Sequence, residues 1–251
     1  MSPNLLLLGG TLEATALAQF LAQTDIRATV SLAGRVARPK RAALPQRVGG
    51  FGGVAGLEAY LRENAITHVV DATHPFAAQM SHNAVAACAQ AGVPLIALTR
   101  EPWVPQSDDR WVRVADIAEA VAALDRPAAR VMLAVGRMHL AAFAPNPQHH
   151  YLLRLIDAPD APLPFPHHEI VLDRGPFTEE GDRLLMARHG TQIVVSKNSG
   201  GTGAYAKIAA ARARGSQVIM IDRPAMPERL EAHTMQEVMN WLSHSGTDLG
   251  V

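Results

Sequence analysis

The 251-residue chain carries 23 basic and 23 acidic residues, so its formal net charge is zero, and 48% of it is hydrophobic. That balance argues against nucleic acid as a partner, because binding to it relies on a basic excess, and no apolar run approaches the roughly 20 residues that span a bilayer. Cys88 is the single cysteine, which excludes an internal disulfide and a cysteine-based zinc cluster. With no basic segment ahead of the first leucines, the chain reads as soluble, unexported and cytoplasmic.

Leu5-Leu6-Leu7-Leu8 suits a strand buried on both faces of a parallel sheet. It runs into Gly9-Gly10-Thr11, a turn that opens a helix predicted over 11–22 and leaves backbone N–H groups facing a phosphate. The full G-x-G-x-x-G fingerprint is absent, because the third glycine position is unfilled. A second strand is expected over 27–35. Where an NAD enzyme often places an acid for the ribose, this strand exit offers Ser31, Gly34, Arg35, Arg38, Lys40 and Arg41, a set suited to a 2′-phosphate and so to NADP.

Residues 46–53 read as a short strand and glycine-rich bend, followed by an amphipathic helix over 54–63. The strand 68–72 ends in Thr73-His74-Pro75-Phe76, with Pro75 suited to the first turn of a helix over 76–91. Thr73 and His74 then stand at a carboxyl strand end, the edge at which open α/β sheets bind ligands. A strand follows over 93–98. The proline-containing polar stretch 103–110 marks a boundary between domains at 1–110 and 111–251. Beyond it, strands are expected at 111–114, 130–135, 151–156, 169–172, 192–195 and 217–221, and helices at 116–124, 204–214 and 235–242.

An internal echo links the halves. Residues 69–100 align without gaps on 192–223, Gly92 falling on Gly215 and Arg100 on Arg223, so that Thr73-His74 corresponds to Ser196-Lys197.

Three stretches together carry a resemblance: Gly9-Gly10-Thr11-x-Glu13, Asp71-Ala72-Thr73-His74-Pro75-Phe76 and Lys197-Asn198-Ser199-Gly200. Over essentially its full length the chain resembles the precorrin-6A reductase family of cobalamin biosynthesis. The resemblance implies two Rossmann-like three-layer domains with mainly parallel sheets and a cleft between them. It implies NADPH-dependent reduction of one double bond of the precorrin-6A macrocycle, giving the dihydro product. Relatives in the anaerobic pathway act on the cobalt-containing counterpart. The segment Asp173-Arg174-Gly175-Pro176-Phe177 resembles a further family stretch, with aspartate where that stretch usually has glycine.

The cofactor-binding set expected on these grounds is Gly9, Gly10, Thr11, Glu13, Ser31, Gly34, Arg35, Ala72, Thr73 and His74. His74 is also the candidate catalytic residue, as positioner or proton donor. A substrate rich in carboxylates calls for cations and backbone donors. Arg100, Arg137, Arg174 and Lys197, with Asn198, Ser199, Gly200 and Gly201, form the expected substrate set, and Arg223 also falls near a strand end. No metal is expected, since neighbours in the extended pairs His149-His150 and His167-His168 point to opposite faces; these histidines are read as surface or substrate contacts. No Tyr-x-x-x-Lys or G-x-S-x-G pattern occurs. A reductase or epimerase of a smaller substrate and a non-catalytic nucleotide sensor remain as alternatives, and contact with neighbouring pathway enzymes is left open.

Overall fold

The structure, a computed structural model, describes residues 3–34, 43–159 and 161–245. The chain begins with β1 (Asn4–Leu8), α1 (Leu12–Leu21), β2 (Arg27–Leu32), β3 (Gln46–Val48), α2 (Gly53–Glu63), β4 (His68–Asp71), α3 (Ala78–Ala91) and β5 (Leu95–Leu98). It continues with β6 (Arg110–Val114), α4 (Ile117–Ala123), β7 (Arg130–Ala134), a 3-10 segment (Arg137–Phe143), β8 (His150–Leu155), β9 (His168–Leu172), α5 (Glu179–His189), β10 (Ile193–Lys197), α6 (Ala206–Ala213) and β11 (Gln217–Ile221). It closes with β12 (Leu230–Ala232) and α7 (Met235–Ser245).

Two compact units result, one of residues 1–100 with 225–251 and one of residues 101–224. The first holds a sheet of order β12-β5-β4-β1-β2-β3 and the second a sheet of order β6-β11-β10-β7-β8-β9. Every strand pair is parallel. Taking the strands of the first unit in chain order, its sheet reads 3-2-1-4-5-6, the Rossmann arrangement. The second sheet has the same layout, except that its sixth position is filled by β6, the strand that follows β5 in the chain. The sixth position of the first sheet is filled by β12, which follows β11. Each sheet is therefore completed by the chain returning from the other unit.

These connections correct the expected domain limits. The division falls at Arg100–Glu101 rather than at 110, and residues 225–251 join the first unit. Pairing of Leu230 with Ile96 and of Ala232 with Leu98 fixes β12, and Val238 and Leu242 of α7 are buried with Leu5, Leu7 and Val70. A three-residue strand carries no periodic signal, which is why the sequence reading passes over it. It also passes over the 3-10 segment and α5.

The leucine run divides by pleat. Leu5 and Leu7 pack with Leu17 and Leu21 of α1 and with α7, whereas Leu6 and Leu8 pack with Leu57 and Leu61 of α2 and Ala84, Ala87 and Cys88 of α3. All four are 2% exposed or less, as a strand covered by helices on both faces requires. In the second unit Met132, Leu152, Val194 and Met220 lie against Met186 of α5 and Ile208, Ala210 and Ala211 of α6.

The internal echo holds at one end and shifts at the other. Gly92 and Gly215 both take left-handed φ values, +67° and +63°. Each closes its helix alike: Val93 N donates to Cys88 O at 2.9 Å, and Ser216 N to Ala211 O at 2.9 Å, as at a glycine C-cap. Register differs in the preceding strand. Asp71 pairs with Ala97, while Met220, which aligns with Ala97, pairs with Ser196. Because β10 runs on to Lys197, Thr73-His74 matches Asn198-Ser199 in space, two residues beyond the expected pair.

Candidate active site

In the first unit, strand order reverses between β1 and β4, and the two strand ends there are joined directly. Thr11 is the N-cap of α1, its hydroxyl oxygen accepting from Ala14 N at 3.1 Å; the same hydroxyl donates to Ala72 O at 2.8 Å. Gly9 N donates to Ser31 O at 2.9 Å, and a Cβ on Gly9 would stand 3.2 Å from the Leu32 side chain. Gly10 has φ +126°, a conformation for which glycine is suited. This turn and the positive end of the α1 dipole lie at the switch point of the sheet and have the character that suits an anion.

The loop after β4 is built on Asp71. Its carboxylate accepts from Thr73 N at 3.1 Å, Thr73 Oγ1 at 2.7 Å, Ser81 Oγ at 2.6 Å and Arg229 Nη1 at 2.8 Å. Asp71 and Arg229 are both buried. His74 Nδ1 accepts from Phe76 N at 3.2 Å, and its carbonyl accepts from Ala77 N at 2.7 Å. The histidine thus organises the turn ahead of α3. That helix begins at Ala78 with Ala77 as N-cap, so Pro75 belongs to the turn and not to the first helical turn, a correction to the sequence reading.

Glu13, in the first turn of α1, pairs with Arg100 at 3.2 Å. The structure therefore places Arg100, expected among the substrate cations, in the first unit beside the cofactor set. Ser31 is buried at the exit of β2, and Gly34 has φ +73°. Arg35, with Arg38, Lys40 and Arg41, lies outside the described residues. A cation that sequence reasoning did not single out, Arg47 of β3, donates to Ser31 Oγ at 2.9 Å; its cross-strand register with Ser31 was invisible without the pairing of β2 and β3.

In the second unit, the matching switch point lies between β7 and β10. Gly136, at φ +82°, ends the β7 exit and Arg137 opens the 3-10 segment. Lys197 ends β10. Asn198 is buried, and its side chain serves the scaffold: Oδ1 accepts from Trp103 N at 2.8 Å and Nδ2 donates to Trp103 O at 2.9 Å. Arg223 donates to the carbonyls of Asn198 at 3.0 Å and Ser199 at 3.2 Å, and the Trp103 indole donates to Gly201 O at 2.7 Å. The loop 197–201 is thereby fixed from three directions, with Ser199 and Gly200 buried.

Arg174 is exposed after β9. Its loop is anchored by Phe177, whose ring lies 3.7 Å from the Arg154 guanidinium, itself ion-paired with Asp182. Exposed apolar side chains accompany these cations: Met138 after β7, Ile156 after β8 and Leu172 at the end of β9. His149 is fully buried, accepting from Ala129 N at 3.1 Å and bonding Leu124 O at 2.8 Å. It is a core residue rather than a surface or substrate contact. A depression lined by Arg130, His150 and Gln192 opens at the amino edge of this sheet, away from these loops.

Both units have the Rossmann-type arrangement, the first with a turn suited to a phosphate and the second with a rim of cationic and apolar side chains, an α/β class that includes many nucleotide-dependent enzymes. Residues 4–243 match the family described as Precorrin-6x reductase CbiJ/CobK, and the chain belongs to that family. It is 55% identical to the precorrin-6A reductase of Rhodobacter capsulatus, covering 99% of each chain. It is 44% identical to that of Sinorhizobium sp, covering 96% of this chain and 93% of the relative. At 30% identity it also matches the cobalt-precorrin-6A reductase of Priestia megaterium, covering 95% and 97%. A solved structure of CobK precorrin-6A reductase superposes with a TM-score of 0.94 at 55% identity, covering 97% of each chain. The chain is accordingly an oxidoreductase of cobalamin biosynthesis acting on a CH–CH bond.

Proposed function

We propose that the chain reduces precorrin-6A with NADPH in the cytoplasm, the first unit binding the cofactor and the second the macrocycle. The observation that carries this reading is the joined pair of strand ends, Gly9-Gly10-Thr11 and Ala72-Thr73-His74, at the switch point of the first sheet. Bound NADPH would supply the hydride for one carbon of a macrocycle double bond, with a proton going to the neighbouring carbon. This chain's own residues bind and orient. Gly10 and Thr11 offer amides to the pyrophosphate, Gly9 holds the turn against β2 through its bond to Ser31 O, and Ala72, Thr73 and His74 border the nicotinamide end.

In the second unit, Arg137, Arg174 and Lys197 meet carboxylates while Met138, Ile156 and Leu172 receive apolar faces of the macrocycle. Asn198 and Arg223 hold the loop that presents Lys197. His74 is read as a positioning residue whose Nδ1 accepts the Phe76 amide; that bond leaves the ring proton on Nε2, so the alternative role of proton donor is decided by substitution. Incubating purified protein with NADPH and precorrin-6A tests the reading: NADPH is oxidised in step with a changed macrocycle spectrum. Oxidation without that spectral change, or none at all, rejects it in favour of a smaller substrate or a sensor.

Lys197→Ala is expected to raise the apparent KM for the macrocycle and leave NADPH affinity unchanged. Loss of NADPH binding in a titration would assign the loop to the cofactor instead. His74→Asn keeps an acceptor for the Phe76 amide, so it retains substantial turnover and an unaltered pH profile. A loss of about a hundredfold or more together with the pH dependence would mark a general acid.

A further inference from the structure

We propose that Arg47 recognises the 2′-phosphate of the cofactor and so sets the preference between phosphorylated and unphosphorylated dinucleotides; the inference rests on the assignment of NADPH to the first unit. Three observations converge on it. Arg47 is the cross-strand partner of Ser31, and Ser31 O accepts from Gly9 N, so the guanidinium stands beside the phosphate turn at the exit of the second strand. That is where the adenosine ribose of a dinucleotide lies on this fold.

The guanidinium is also held rigidly. Nη1 donates to Ser31 Oγ at 2.9 Å and Gly49 O at 3.0 Å, Nη2 donates to Gly50 O at 3.1 Å, and the Phe51 ring centroid lies 3.8 Å from Cζ. All of these partners are neutral. Among the described residues no carboxylate forms an ion pair with Arg47, so its full charge is retained, with Nε–H and the second Nη2–H left for a further acceptor. A planar, pre-positioned and unneutralised fork suits a phosphomonoester, which accepts charge-assisted bonds from it. An NAD enzyme would place an acid here to accept from the 2′-hydroxyl, and the β2 exit presents Ser31 instead.

The test uses the two halves of the adenosine end as probes. Calorimetric titration of the wild-type protein with 2′,5′-ADP and with 5′-AMP should show tighter binding of 2′,5′-ADP. In Arg47→Met the affinity for 2′,5′-ADP should fall about 10- to 100-fold while that for 5′-AMP stays unchanged. Arg47→Lys, which keeps charge but not the fork, should fall in between, and thermal melting of both variants checks that the unit is folded. Equal weakening of both probes would make Arg47 a packing residue and overturn the proposal, as would an unchanged preference in Arg47→Met. If the wild-type protein bound neither probe, the assignment of the cofactor to this unit would itself fail.

Discussion

At Asp71 a buried carboxylate gathers a backbone amide, two hydroxyls and the guanidinium of Arg229, and removing the cation leaves an uncompensated charge in the core. Arg229→Met is expected to destabilise the protein by about 3 kcal/mol, read as a lowered urea midpoint; a change below about 0.5 kcal/mol would show that the hydroxyls and amide suffice. The pair spans 158 positions in the chain, so the motif around Asp71 could be recognised in the sequence while the reason for its aspartate could not. Arg47 escaped for a similar cause: its role depends on which strands are neighbours. Local signals were readable, since glycine needs no partner to show that a turn is tight. Nearby, burial and then the Asp71 charge push the Cys88 thiol up to about 12. At pH 8 the folded protein should resist iodoacetamide and the urea-unfolded chain should react.

Among the elements, α5 shows how a helix can be missed when periodicity is the guide. Its polar composition hides a buried stripe, yet its ends are marked: Thr178 accepts from Gly181 N at 3.1 Å, Glu179, Glu180 and Asp182 fill the first turn, and Gly190 closes it at φ +70°. Those capping residues were in the sequence to be read. The loop after β10 is constrained in a different way. Gly200 lies at φ +67°, and a Cβ there would run into the Glu101 carbonyl and the Arg223 guanidinium. Gly200→Ala should cost about 1–3 kcal/mol of stability and displace Lys197, raising the KM for the macrocycle. An unchanged melting temperature with unchanged KM would contradict this account.

For the whole molecule, two imidazoles are held below their ordinary range: His68 by burial, and His189 chiefly by burial with Arg130 adding to it. Their folded-state affinity for protons is lower than in the unfolded chain, so unfolding takes up protons as pH falls below about 6.5. Stability is then full above that pH and declines toward pH 5, and His189→Gln should flatten the decline when urea midpoints are compared at several pH values. Removing residues after 224 should leave the second unit folded and the first without its edge strand and α7, detected as loss of NADPH binding with the second unit's protection from hydrogen exchange retained. The parallel sheets were foreseeable from strand composition and alternation with helices, but the exchange of sixth strands was not, because nothing local in Leu230-Glu231-Ala232 names Ile96 and Leu98 as neighbours. That exchange has a consequence for synthesis on the ribosome. Strands β1 to β5 emerge before residues 101–224 yet wait, with an open strand edge, until β12 has been made, while residues 101–224 can settle as a contiguous block. Of the two units, the one begun first is therefore the last to be finished, and a chain that stops before β12 keeps an unsealed first sheet, a substrate for chaperones and proteases.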